Sequence, residues 1–233
     1  MKRALFEQLL AARADARPVV LVTELASGSQ ALVFATGDDG GGLGAEVVSA
    51  AREALRVGRS AILDPSDAGR TFLHVFNPPL RLYIVGAVHI AQALAPMAAM
   101  LGYSVTVIDP RRAFASPQRF DGLRVLGDWP DDALAGENLD ARCALVTLSH
   151  DPKLDDPALA AALGSDAFYI GCLGSRRTHA KRLQRLTAAG FDADGLQRLH
   201  GPVGLDIGAR SAAEIATSVL AEMTQVLHRG ACP

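Results

Sequence analysis

The residues in this 233-residue chain that come nearest to a working site are Gly86-Ala87-Val88-His89-Ile90-Ala91, directly after the apolar run Leu82-Tyr83-Ile84-Val85. A glycine turn between a buried strand and a helix brings backbone amides and a helix N-terminus up to a phosphate, and the dinucleotide fingerprint for it is G-x-G-x-x-G/A. Gly86 fits the first glycine, with Ala87 after it, and Ala91 fits the third small position. Val88 stands where the second glycine would let the backbone approach a pyrophosphate, so the fingerprint is incomplete. His89 opens the helix, either as a donor to an oxyanion or as a capping or packing residue. Asp109 closes the next strand about 20 residues on, where an acid would take a ribose hydroxyl. Arg111 and Arg112 follow it, placed for a 2′-phosphate or another anionic group, with solvated surface arginines as the alternative.

A second glycine loop lies at Ile170-Gly171-Cys172-Leu173-Gly174-Ser175-Arg176-Arg177. Ser175 is a helix cap. The amides of Gly174 and Ser175, with Arg176 and Arg177 behind them, would make a second anion site at the carboxyl edge of a sheet, where open α/β folds bind ligands. Cys172, beside a buried strand, reads as inert packing before it reads as a reactive thiol. Ser149-His150-Asp151 holds the residue types of a hydrolase triad, but adjacent residues cannot converge as a triad does. It reads instead as a strand end and loop at the ligand edge. Asp206, between Gly204 and Gly208, sits in a constrained loop before a Ser211/Glu214 capping box. No set of residues amounts to acid–base machinery, so no catalytic residue and no metal ligand is assigned.

These residues need a scaffold, and the hydrophobic pattern supplies one. Strands are expected over 81–85, 105–109, 144–148 and 167–170, and helices over 90–100, 157–163, 175–189 and 211–227. Strand–helix alternation with continuously apolar strands predicts a Rossmann-like parallel sheet covered on both faces. Before it, helices over 1–15 and 45–56 and strands over 19–25, 31–35 and 71–77 predict a smaller α/β domain. Asn77-Pro78-Pro79 marks the boundary, because two prolines stiffen the chain and remove donors. The expected domains are residues 1–77 and 80–233.

Composition narrows the function classes. Hydrophobic residues are 49% of the chain and aromatics 5%, so the core is built from Ala, Leu and Val. A net charge of −2 argues against nucleic acid as a partner. No segment reaches the roughly 20 apolar residues of a membrane helix, so membrane insertion is not expected. The start, Met1-Lys2-Arg3-Ala4-Leu5-Phe6-Glu7-Gln8, turns polar too soon for a secretory signal. Cys143, Cys172 and Cys232 form no CxxC pair. A reduced cytoplasm is the expected location.

Taken together, these stretches resemble the XdhC/CoxI family of xanthine dehydrogenase accessory proteins. The matching segments are 83–91, 102–114, 149–163, 166–183 and 201–223. The most specific is Gly204-Leu205-Asp206-Ile207-Gly208-Ala209 followed by Ala213-Glu214-Ile215-Ala216. The resemblance implies a maturation factor for a molybdenum hydroxylase, such as xanthine or carbon monoxide dehydrogenase. Such a factor binds molybdenum cofactor (molybdopterin) and delivers it to the apoenzyme, with a cysteine desulfurase as a further candidate partner. The cofactor's phosphate would account for the second anion loop. The implied cofactor-binding residues are Gly86, Ala87, Val88, His89, Asp109, Arg111, Arg112, Ser149, His150, Gly171, Gly174, Ser175, Arg176 and Asp206. Two positions depart from the family pattern. Gly42 replaces the cysteine usual in the first glycine loop, removing any thiolate contact to molybdenum from there. Val88 replaces a glycine. The competing readings are an NAD(P)- or FAD-dependent oxidoreductase, against which Val88 counts, and a nucleotide-sensing assembly protein without turnover. Apolar segments of the first domain would serve a homodimer or a client interface equally well.

Overall fold

A computed structural model describes residues 2–37, 42–64, 69–111 and 113–229, without the side chain of Pro117. Arg112 and Cys232 lie outside the described residues. The chain divides into two compact units, Met1–Pro78 and Pro79–Pro233.

The first unit contains α1 (Arg3–Ala14), β1 (Val19–Glu24), β2 (Gln30–Phe34), α2 (Ala45–Val57), β3 (Ala61–Leu63) and β4 (Thr71–Phe76). Its sheet is antiparallel in the order β2-β1-β4-β3. Val19-Val20-Leu21-Val22 is apolar at every position because both faces of β1 are covered. Val20 and Val22 pack with Ala51, Ala54 and Leu55 of α2, whereas Val19 and Leu21 pack with Leu9 and Ala12 of α1. Strand β3 is absent from the sequence pattern: two of its three residues are exposed, so it lacks a clear apolar signal. Gly42, at φ +105°, lies in the turn before α2, with open space around the position of an added Cβ.

The second unit runs β5 (Arg81–Val85), α3 (His89–Met100), β6 (Ser104–Ile108), β7 (Arg124–Leu126), α4 (Pro130–Ala135), β8 (Cys143–Thr147), α5 (Pro152–Leu163), β9 (Tyr169–Cys172), α6 (Arg176–Ala188), α7 (Ala193–Leu196), β10 (Leu199–His200) and α8 (Ala212–Arg229). Its six strands are all parallel, in the order β10-β9-β8-β5-β6-β7. Counted within the unit, this is the doubly wound order of a Rossmann fold, with the reversal between β5 and β8. Side chains alternate across β5, and both faces find partners. Leu82 and Ile84 join Ala91, Leu94, Val219 and Met223 of α3 and α8. Tyr83 and Val85 join Leu154, Ala158, Leu159 and Leu186 of α5 and α6. Each of the buried Leu, Ile, Val and Met side chains among these contributes about 1.5–3 kcal/mol.

Most element bounds shift by a residue or two from the sequence reading, and two of the differences have identifiable reasons. Helix α5 begins at Pro152, not Pro157: Asp151 caps it by accepting from the Lys153 amide at 3.0 Å, and a proline is tolerated at the first helical position. Strand β9 lies two residues later than expected and carries Gly171 inside it. A Cβ there would come within 2.6 Å of Val203 Cγ2 and 2.8 Å of Tyr169 Cε1. The short β7, α4, α7 and β10 present too few periodic positions to register in the sequence. Among the described residues no helix is long and apolar enough to cross a membrane.

Candidate functional site

The β5–α3 turn lies at the point where strand order reverses. Gly86 has φ +104° and donates its amide to Ile108 O at 2.9 Å. An added Cβ would sit 2.8 Å from the Ser149 amide nitrogen and 3.0 Å from Ser149 Cα. Glycine is required because the loop after β8 passes directly over it. Val88 is the N-cap of α3 and supplies no side-chain cap, so the first amides of this helix have no partner from the cap. The Val88 side chain packs against the core cluster of that face. His89 is exposed at the first helical position. By contrast, Asp151 caps α5 and Ser175 caps α6, the latter accepting from the Thr178 amide at 3.1 Å.

Asp109 is held by donors of the protein itself. Its carboxylate is completely buried, and four donors converge on it. Oδ2 accepts from the Ala87 amide at 2.8 Å and from Arg111 Nη2 at 2.7 Å. Oδ1 accepts from the Arg111 amide at 3.0 Å and Arg111 Nε at 2.9 Å. A carboxylate has about four acceptor sites, so none is left for a ribose hydroxyl. Burial alone would raise this carboxyl, but the hydrogen bonds from Arg111 and Ala87 outweigh it and hold it below the usual carboxylate range. Asp109 ties the glycine turn to the next strand end, and Arg111, committed to it bidentately, also lies over the Phe114 ring at 4.5 Å.

The other candidates separate into two groups. Ser149 turns inward: its hydroxyl donates to Asp155 Oδ1 at 2.7 Å and accepts from the Asp151 amide at 3.0 Å. Gly171 is a packing residue in β9, Gly174 (φ +140°) closes onto Thr178, and Ser175 is the cap. His150 is exposed, with φ 61°, an uncommon left-handed conformation for a residue other than glycine. Arg176 and Asp206 are exposed.

His150 reaches a cavity that the sequence reading did not assemble. About 360 Å³ in volume, it is lined by His150, Pro152 and Asp155 on one side and by Arg177, Thr178, Lys181, Arg182 and Arg185 of α6 on the other. The cavity lies on the α5-facing side of α6, with Arg177 on its wall, and Arg176 is not among its lining residues. The available signal was the Arg177, Lys181, Arg185 spacing, which places three cations on one stripe of a helix. Arg182 is 2% exposed. Its Nη2 donates to Leu173 O at 2.8 Å, its Nη1 lies 3.5 Å from His179 Nδ1, and its buried Nε has no hydrogen-bond partner among the described residues. The nearby Asp155 carboxylate stays 3.9 Å away. Burial raises the Asp155 carboxyl above its ordinary value against the opposing pull of Ser149 and Arg182. Arg185 is neutralised bidentately by Asp156 at 2.5 and 2.9 Å.

Cys172 lies fully buried at the end of β9, and burial pushes its thiol up to about 12. Cys143, also buried, is pushed up to about 11 for the same reason. Both are protonated at neutral pH and shielded, so neither is a nucleophile. With iodoacetamide at pH 7.5, neither Cys143 nor Cys172 of the folded chain is expected to be labelled within the time that labels a free thiol. Peptide mass spectrometry checks this, and rapid modification of Cys172 would contradict it.

This sheet order, with a glycine turn at the reversal of strand order, defines a Rossmann domain. Residues 82–223 match the family described as the XdhC Rossmann domain, and the chain belongs to that family. It is 37% identical over 155 residues (66% of the chain) to the molybdenum cofactor insertion chaperone PaoD of Escherichia coli K12, taking in 42% of that protein. It is 35% identical over 163 residues (70% of the chain) to YqeB of the same strain, taking in 30% of that protein. It is 32% identical over 159 residues (68% of the chain) to a probable xanthine dehydrogenase subunit from Bacillus subtilis strain 168, taking in 46%. The chain thus spans less than half the length of these curated relatives. In fold it is similar to a crystal structure titled as a xanthine dehydrogenase from Bacillus halodurans. The TM-score is 0.71 at 24% identity, covering 97% of this chain and 65% of that one.

Proposed function

We propose that this chain is a maturation factor for a molybdenum hydroxylase, holding molybdenum cofactor as cargo at the carboxyl edge of the parallel sheet and passing it to the apoenzyme. The observation that carries this reading is the cavity between α5 and α6, where a buried, incompletely paired Arg182 stands behind Arg177 and Lys181. Such a wall suits the phosphate of a pterin cofactor. The uncapped start of α3 offers further amides to an anionic cargo. The names of the E. coli chaperone and of the B. subtilis protein support the same class of client. Two features argue against an ordinary nicotinamide site: Asp109 is fully engaged by protein donors, and the Ala87 amide is occupied by it. The second unit would carry the cargo site. The first, with Gly42 where the family's usual cysteine would be, would hold no thiolate on molybdenum from that position.

The test is a parallel titration of the purified chain with molybdenum cofactor, NAD(P) and FAD, followed by reconstitution of an apo molybdenum hydroxylase. Tight binding of molybdenum cofactor and faster activation of the client are expected. Binding of a nicotinamide or flavin nucleotide, with none of molybdenum cofactor, would replace this reading with an oxidoreductase or a nucleotide sensor.

A further inference from the structure

We infer that the cavity between α5 and α6 is a phosphomonoester subsite, which takes a terminal phosphate dianion against Arg177, Lys181 and the buried Arg182. As a statement about cargo this rests on the function proposed above; as a statement about the cavity it stands on its own residues.

Four basic side chains face one carboxylate, Asp155, in a cavity of about 360 Å³. A solvated basic helix face would explain the exposed Arg177, Lys181 and Arg185, but not Arg182. Buried guanidinium nitrogens are almost always hydrogen-bonded, yet Arg182 Nε is not; Asp155 gives Oδ1 to the Ser149 hydroxyl, and its Oδ2 comes no nearer than 3.9 Å to Arg182 Nη2. The cation stripe on α6 is also self-repelling. Arg185 has Asp156, but neither Arg177 nor Lys181 has an acidic partner among the described residues. A site that keeps positive charge uncompensated at a structural cost is completed by an anion. The α6 N-terminus does not supply this pull, because Ser175 caps it.

The charge sets the ligand class. A phosphomonoester carries about −1.5 to −2 at pH 7, which matches the two cations, Arg177 and Lys181, that have no acidic partner among the described residues. A diester or a carboxylate carries a single charge and leaves the wall undercompensated. The volume falls within the range of small-molecule pockets, roughly 300–1,000 Å³, so the phosphate enters with the group it terminates. His150, held in its left-handed conformation at the rim, is placed to donate to that phosphate or to its bridging oxygen.

The experiment is calorimetric titration of the full chain with inorganic phosphate, phenyl phosphate and diphenyl phosphate. Binding of the first two and not of the diester is expected. Lys181→Ala and Arg177→Ala, both on the exposed stripe, should each weaken phenyl phosphate roughly tenfold, the scale of one charge-assisted hydrogen bond. Arg182→Lys should weaken it at least as much, with circular dichroism checking that it folds; the two exposed-site variants decide the matter if it does not. No binding of phosphate or phenyl phosphate, equal binding of the diester, or unchanged affinity in both exposed-site variants would overturn the assignment. Phosphate binding that depends on Lys181 without any binding of molybdenum cofactor would leave this subsite standing and remove the cargo reading. Cofactor binding indifferent to phenyl phosphate and to Lys181→Ala would do the reverse.

Discussion

Gly86→Ala is expected to destabilise the second unit by roughly 3 kcal/mol or more, through a strained backbone and a clash that cannot relax locally. At φ +104° an alanine is strained whatever space surrounds it. Space is also missing: its Cβ would stand 2.8 Å from the Ser149 nitrogen, which is backbone and not a movable side-chain tip. Relief requires the chain after β8 to retreat. That chain carries Ser149, bonded to Asp155, and His150 on the cavity wall. The variant should therefore lose anion affinity together with stability, although residue 86 is not among those that line the cavity. Urea unfolding measures the stability loss, and phosphate titration in the folded fraction measures the coupling. A variant within about 1 kcal/mol of wild type would show that this approach is not a constraint.

Asp109→Asn is expected to cost about 2–3 kcal/mol, the scale of leaving buried donors facing a donor. The amide side chain keeps the shape but presents an NH₂ where two of the four donors from Ala87 and Arg111 now point. Arg111 is partly exposed and can turn to water, so its share is discounted. The Ala87 amide has no such exit. The pH dependence follows from the depressed carboxyl. A carboxyl held lower in the folded chain than in the unfolded one stabilises fully above the unfolded value, near 3.9, and loses that contribution as pH falls through the folded value. The gap between wild type and Asp109→Asn should thus be constant from about pH 5 to 8 and narrow below about 4. Denaturation midpoints across that range check it; a gap that widens on acidification would refute the assignment.

Both positions are legible as special in the sequence, but for different reasons than the fold supplies. Gly86 is marked by its place between an apolar strand and a helix, a local pattern. Its near neighbour, Ser149, is 63 positions along the chain. Asp109 is marked by its strand end, yet whether a carboxylate is free depends on its donors, and Arg111 folds back onto it from two residues away. Ser175 as a cap and the Ser211/Glu214 capping box are local devices and form as expected, with the Glu214 carboxylate accepting from the Ser211 amide at 2.8 Å.

What this sequence determines unaided is local and periodic. Its alternation of apolar strands and helices, its glycine turn and its caps specify a parallel sheet with helices on both faces, since period and turn chemistry act within a few residues. What only the tertiary structure decides is which side chains meet. Successive helix residues point about 100° apart, so the docking of α6 against α5 brings Arg177, Lys181 and Arg182 to one cavity and leaves Arg176 off its wall. Burial of Arg182 beside an Asp155 already bonded to Ser149 is likewise a product of three separate segments. Charge compensation is a sum over neighbours in space, and no stretch of chain carries that sum.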